Sequence, residues 1–418
     1  MDGGFGIICH LTSLPNSKLS DAEKFISYLS NHDCAFWQFL PITPPDKFDS
    51  PYASPSAFAG HSDFCDNETM CEMNEDEYWI HDWALFSTIK KKMNGQPWYD
   101  WPQELRDRDP IALENLLQDC QSEYDLQARF LKQWMEMKSL ANSKGIKLIG
   151  DLPIFISHDS ADVWSHRELF QLDENGMPAV VAGVPPDYFS KDGQKWNTVL
   201  YSWDQHKKEN WRWWGERLAR MLRLFDLVRI DHFRGFHSAW AIPTNAKDGK
   251  IGEWQIGPGD ELLNHLINIA GNSNRIIAED LGIIPQEVVE MRLRSKLKGM
   301  AILQFGFTGN DEENPHHPIN IGTDKIAYTG THDNNTTIGW WNELDDEIKN
   351  KISTDFKENE DVVDYMMRMA FESKASIVIV PLQDLLKLNS ESRMNIPGVE
   401  KGNWQWKFEW NHLETGPS

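Results

Sequence analysis

Cysteine is scarce in this chain and its number is odd. There are five, Cys9, Cys34, Cys65, Cys71 and Cys120, and no two stand as C-x-x-C. That pattern indicates neither a disulfide framework nor a zinc site, and it fits a reducing compartment, so a cytoplasmic location is expected. Long apolar runs are also lacking. None approaches the roughly 18 residues of a membrane helix, and the opening MDGGFGIICHLTSLP has neither the basic segment nor the apolar length of a signal peptide. Positive charge is in deficit: 41 Lys and Arg stand against 64 Asp and Glu, a formal net charge of −23. Such a surface repels phosphate backbones and anionic membranes, so neither nucleic acid nor membrane is an expected partner. No Gly-rich phosphate loop, internal repeat or low-complexity tract occurs.

What the chain has is apolar bulk and tryptophan. Forty per cent of its 418 residues are hydrophobic, enough for one large domain with insertions or for two to three domains. Most of the 19 tryptophans read as core. An excess also suits sugar rings, because indole offers a flat apolar face with a polar edge.

Eight short apolar runs read as strands: Phe5–Leu11, Ala35–Pro41, Ile146–Leu152, Phe225–Asp231, Arg275–Asp280, Gly299–Phe305, Lys325–Gly330 and Ser376–Pro381. Most are continuous rather than alternating, as expected of parallel strands buried on both faces. Helical patterns lie between them, at Ala22–Ser30, at Tyr124–Leu140 with Gly145 as a stop, and along the stripe Trp211, Trp214, Leu218, Met221, Leu222 and Phe225. Eightfold β/α alternation predicts a (β/α)₈ TIM barrel of the α/β class, with a doubly wound open sheet as the alternative. Residues 1–418 then form a single catalytic barrel domain. Two connections are too long for barrel loops. Residues 61–123 after the second strand form one inserted subdomain, with a helix near Trp83–Lys92. Residues 153–210 after the third strand form another, with the Gly/Pro-rich segment NGMPAVVAGVPPDYFSKDGQKW. Both should wall or cover the C-terminal rim.

Acids gather at the strand ends. Asp151 ends the third strand, Asp231 the fourth and Glu279-Asp280 the fifth, and Asp333 follows the seventh in TGTHDNN. The stretch FDLVRIDHFRGF around Asp231 crowds ionisable residues onto a buried strand end, where α/β proteins build their sites. Barrel closure brings these positions to one rim. Carboxylates beside aromatic insertions suit glycosidic-bond chemistry, which needs a proton donor for the leaving oxygen and a second carboxylate on the other face of the sugar. Calcium or magnesium binding and plain ion pairing with Arg229, Arg234 and the histidines are the competing accounts.

These residues also resemble a family. The blocks WQFLPITP, DSPYASPSAFAG, WYDWPQELRDRD, LIGDLPIFIS, AGVPPDYFSKDGQKW, VRIDHFRGF, IAEDLG, YTGTHDNNTT, VPLQDLL and RMNIPGVEKGNWQW are similar, in order, to those of the 4-α-glucanotransferases, or amylomaltases (glycoside hydrolase family 77). The resemblance spans nearly the whole chain. It implies retaining double displacement on α-1,4-glucans, moving segments between maltooligosaccharides or starch and glycogen chains, with no redox cofactor and no catalytic metal. By matching position, Asp231 looks like the nucleophile, Glu279 the general acid/base and Asp333 the transition-state stabiliser. Glu279 must begin protonated, so its pKa is expected above that of Asp231. Arg229 is expected to orient the Asp231 charge, and His332 to contact the same sugar. VPPDYFSKDGQKW looks like the family's covering loop, where Asp187, Phe189, Gln194 and Trp196 would meet glucan. Ser50 and Tyr52 resemble sugar-lining positions, and His232 stands beside the nucleophile. Asp280 is either a sugar ligand or a structural partner, and Asp151 a support for the rim.

The chain also departs from the family pattern. NSKLSDAEKF replaces a Gly-rich segment after LTSLP, Asn197-Thr198-Val199 replaces Gly-Asn-Pro, and Asn335 stands where Asp is usual. An α-glucan hydrolase with the same carboxylates and a non-catalytic glucan-binding barrel are the alternatives to a transferase. Oligomeric state is not legible.

Overall fold

The computed structural model describes residues 3–66, 77–186 and 191–415. All eight predicted runs are strands of one parallel sheet: β1 Gly4–Ile8, β2 Cys34–Gln38, β3 Lys147–Pro153, β4 Leu227–Asp231, β5 Ile276–Ala278, β6 Gly299–Ile302, β7 Lys325–Tyr328 and β8 Ile377–Pro381. Each pairs with its neighbour in sequence, and β8 returns to β1. β5 and β6 meet through the Ile277–Lys298 bridge, where the Ala278 amide donates to the Lys298 carbonyl at 2.8 Å. The ring therefore closes as a TIM barrel, and the open-sheet alternative falls.

Side chains alternate along a strand, and this sets what lies inside. Phe36, Ile149, Leu227, Ile277, Met300, Ile326 and Ile377 fill the lower barrel. Two residues further along β3 and β4 come Asp151 and Arg229, both buried, and two further again on β4 comes Asp231. The polar site is thus the top layer of an otherwise apolar stack.

Outside the barrel lie α1 (Asp21–Asn31), α2 (Ile80–Lys92), α3 (Gln121–Ser143), α4 (Arg212–Leu224), α5 (Gly259–Ala270), α6 (Gln286–Arg294), α7 (Thr337–Glu343) and α8 (Val362–Glu372). Gly145 takes φ +79 just after α3, as its role as a stop requires. Trp134 of α3 donates from Nε1 to the Leu224 carbonyl at 2.8 Å and packs edge-on against Phe225. Phe225 in turn presses so close to β3 that a Cβ at Gly150 would sit 2.3 Å from its ring.

The alternation is not complete. Between β6 and β7 only 3₁₀ turns occur, at Leu303–Phe305 and Pro318–Asn320. That segment carries Gly306, Gly309, Pro315, Pro318 and Gly322, which break helices by backbone freedom or by a missing donor.

A second sheet lies outside the barrel and was not foreseen. Val180–Val184 pairs antiparallel with Gln194–Lys195 and with Ser238–Pro243, which pairs with Glu253–Ile256. Part of it comes from the segment after β3 and part from the hairpin after β4. Asn197, standing where the family pattern has Gly, adopts φ +57. Asn tolerates that left-handed region better than most residues, and Thr198 and Val199 then pair with Ser157 and Ile156.

Candidate active site

Arg229 is the hub. Its Nη1 donates to both oxygens of Asp151 at 2.7 Å, and its Nη2 pairs with Asp231 Oδ1 at 2.8 Å. The Arg229 side chain is 4 % exposed, whereas the Asp231 side chain keeps 26 % of its surface open. Asp231 is therefore the end of this pair that faces outward.

Glu279 directly follows Ala278, which pairs with Ile230 across β5 and β4. Neighbouring strands lie about 4.8 Å apart, so the two carboxyls spring from adjacent strand ends. The chain turns sharply between them. His232 takes φ +53, and its amide donates to Glu279 Oε2 at 2.6 Å while the Leu281 amide donates to Oε1 at 2.9 Å. Both Glu279 oxygens are thus fixed by backbone.

Burial pushes Glu279 up to about 7, with Arg229 and the two amides pulling the other way. Burial also raises Asp231 above the usual carboxylate range, opposed by Arg229 and reinforced by Asp151, Glu279 and Asp333. Sequence places the higher pKa on Glu279; burial raises both carboxyls and is the largest cause at each. Burial lowers His232 to about 3 and lowers His332 as well, so both imidazoles are neutral at pH 7.

A third group comes from the loops after β2, β7 and β8. The Tyr52 hydroxyl donates to Asp151 Oδ2 at 2.6 Å and lies 2.8 Å from His332 Nε2. Its ring stacks on His332 and leans on Trp404. His332 Nε2 is 3.4 Å from Asp333 Oδ1. Asn395 donates to that same oxygen at 2.6 Å, and Arg393 donates to the Asp333 carbonyl at 2.6 Å. Asn395, Arg393 and Trp404 were not singled out from sequence. They lie in RMNIPGVEKGNWQW, whose composition alone gives no sign of a partner some sixty residues away.

Of the other predicted positions, Trp196 packs edge-on against His232, 4.9 Å between centroids, and donates to Gln194 Oε1 at 3.0 Å. Ser50 opens the 3₁₀ turn that carries Tyr52, with its amide bonded to Asp46 Oδ1 at 2.9 Å. Asp187 and Phe189 lie outside the described residues. Asp280 turns away from the site. It accepts from the Met300 amide at 2.7 Å and pairs with Arg292 at 3.0 Å and Lys325 at 3.4 Å. Of its two expected roles this geometry supports the structural one, because protein donors already engage both oxygens. Among the described residues no cluster of His, Cys, Asp and Glu has metal-binding geometry.

The family model described as 4-alpha-glucanotransferase matches residues 9–76 and 73–413. The chain belongs to the 4-α-glucanotransferase family. A 4-alpha-glucanotransferase of Thermus thermophilus is 36 % identical over 97 % of this chain and 94 % of its own. A chloroplastic/amyloplastic one of Solanum tuberosum is 36 % identical over 96 % and 82 %. The amylomaltase of Streptococcus agalactiae, solved in complex with acarbose, superposes with a TM-score of 0.92 at 32 % identity, covering 98 % of this chain and 96 % of that one. The Thermus alignment runs to 473 positions against 418 residues here, so this member lacks segments that its longer relative carries.

Proposed function

We propose that this chain is a 4-α-glucanotransferase that moves α-1,4-glucan segments between maltooligosaccharides, or starch and glycogen chains, by retaining double displacement. The observation that carries the proposal is the Asp231–Glu279 pair on adjacent strand ends, one acid touching Arg229 and the other held by two backbone amides. Retention needs carboxyls about 5–5.5 Å apart, a spacing compatible with acids on neighbouring strand ends about 4.8 Å apart.

Between the two acids the charge belongs on Asp231, in contact with the guanidinium, and the proton on Glu279. Asp231 attacks the anomeric carbon as the glycosidic C–O bond breaks, and the leaving oxygen takes the Glu279 proton. The glycosyl ester then meets the hydroxyl of a second glucan. Glu279 takes that hydroxyl's proton, the new C–O bond forms, and Asp231 leaves as carboxylate. Asp333, its Oδ1 held by Asn395, grips the sugar as the ring flattens. His332, Tyr52 and Ser50 line the same unit, and Asp151 acts through Arg229. The scheme uses no metal and no redox cofactor.

Transfer over hydrolysis requires water exclusion. On this proposal residues 153–210, with Gln194, Trp196 and the loop bearing Asp187 and Phe189, form the lid, residues 61–123 form a second inserted subdomain, and the protein works in the cytoplasm. No helix among the described residues is long and apolar enough to cross a membrane.

Incubation with maltotriose tests the reading. Glucose plus longer oligomers means transfer, glucose and maltose alone mean hydrolysis, and no product means a binding protein. Asp231→Asn and Glu279→Gln should each lower turnover by about 10³-fold or more, as loss of a positioned nucleophile or acid does, with the circular dichroism spectrum kept. Near wild-type turnover in either variant removes that residue's role, and inverted anomers by NMR remove the covalent route.

A further inference from the structure

Beyond the catalytic pair, the loops after β4 and β5 build a surface of a different kind. Trp254 on the strand Glu253–Ile256 is 40 % exposed, Ile256 on the same side of that strand is 87 % exposed, and Ile283 after β5 is 55 % exposed. Large apolar side chains grouped in the open mark a binding surface more often than scattered ones do. These are tied together. The Arg234 guanidinium lies 3.7 Å from the centroid of the Trp254 ring, and its Nη1 donates to the Ile283 carbonyl at 2.5 Å. Trp240 leans on Trp254 at 5.0 Å and 56°. Stacked guanidinium and indole brace one another, so the ring is held outward.

The position of this surface says which ligand it meets. Arg234 stands three residues after Asp231, and Ile283 four after Glu279. A general acid protonates the bridging oxygen, so whatever is bonded beyond that oxygen lies on the acid's side of the site. Tyr52, His332 and Asp333, from the loops after β2 and β7, line the other side. We propose that Trp254, braced by Arg234 and flanked by Ile256 and Ile283, is a binding surface for the leaving and acceptor α-glucan chain, several glucose units out from the reacting bond. The inference rests on the functional reading above. The apolar faces of successive glucose rings suit an exposed indole, and an uncharged ligand is compatible with so acidic a protein.

The test uses Trp254→Ala and Trp254→Phe in the full chain, with two readouts. The first is transfer from a maltotriose donor to acceptors of one and six glucose units. The second is calorimetric binding of maltose and maltoheptaose in a Glu279→Gln background. The six-unit to one-unit ratio of kcat/KM should fall about three- to tenfold in the Ala variant, the size of one aromatic contact, and the Phe variant should restore most of it. An unchanged ratio, whether through equal loss with both acceptors or no loss with either, overturns the proposal. If the unmodified chain transfers nothing, the functional reading fails and calorimetry alone decides. Weaker maltoheptaose binding in Trp254→Ala, with maltose unaffected, then keeps the surface, and unchanged maltoheptaose binding removes it.

Discussion

Around Asp333 the side chains hold one another. Tyr52, Asp151, Arg229, His332, Asn395 and Arg393 are buried or half-buried, and most of their polar atoms are engaged within 3 Å. Around Trp254 the contacts are an aromatic edge, a stacked guanidinium and exposed isoleucines. The first region fixes a single geometry, because buried polar groups are costly unless every partner is in place. The second is non-directional and leaves register free. On the proposed function, a rigid polar region suits the glucose unit that reacts and an adaptable apolar one suits the chain beyond it.

The contrast breaks most readily at Arg229. Arg229→Leu leaves Asp151 buried without its cation, and removing one partner of a buried pair costs about 3–5 kcal/mol. Chemical denaturation should show that loss, together with a collapse of turnover. Adding Asp151→Asn removes the orphaned charge and should recover most of the stability but little of the activity. If Arg229→Leu alone is as stable as the parent, the hub does not hold the region together.

Glu279 tests the same rigidity through pH. Its folded pKa is raised to about 7 above an unfolded value near 4.3, so between those values the folded state holds more protons than the unfolded one. Stability contributed by the protonated form is full below the unfolded pKa and is lost as pH rises through 7. Glu279→Gln, always neutral, should therefore gain stability relative to the parent as pH rises from 5 to 8, by at most about 3 kcal/mol for a shift of this size. Equal Tm differences at pH 5 and pH 8 would show that the carboxyl is not held above its usual range.

These predictions concern residues whose placement was mostly legible beforehand. Continuous apolar runs gave the eight strands, because a strand buried on both faces leaves no room for polar alternation. The rim acids followed, because strand ends are fixed once strands are. What sequence could not give depends on contacts between distant segments. The four-stranded outer sheet joins the connection after β3 to the hairpin after β4, and neither half carries a pattern that names the other. Asn395 and Arg393 look like loop polars until β7 and the last loop are adjacent. Asp280 and Glu279 are neighbours in one motif, yet strand alternation sends one carboxylate into the site and the other outward to Arg292. The missing helix between β6 and β7 was foreseeable from its Gly and Pro content, and the regularity of the eightfold pattern hid it.

The smallest effect sharpens the boundary of the rigid region. Where the family pattern carries Asp, Asn335 donates from Nδ2 to Glu343 Oε1 at 2.8 Å and to Ser390 Oγ at 3.0 Å, while its Oδ1 accepts from the Thr336 amide at 2.9 Å. The missing charge is thus matched by a carboxylate that a second acid would repel. Asn335→Asp sets a buried carboxyl against the exposed carboxylate of Glu343 and replaces a hydrogen bond with repulsion. The cost should be about 1 kcal/mol, because solvent screens the exposed Glu343, and it should shrink as pH falls below 5 and one acid takes a proton. Asn335→Asp with Glu343→Gln restores a donor and an acceptor with the roles exchanged, so the pair should couple favourably in a double-mutant cycle. Additive losses would mean that Asn335 and Glu343 act independently, and that the hydrogen-bonded framework of the rigid region stops short of α7.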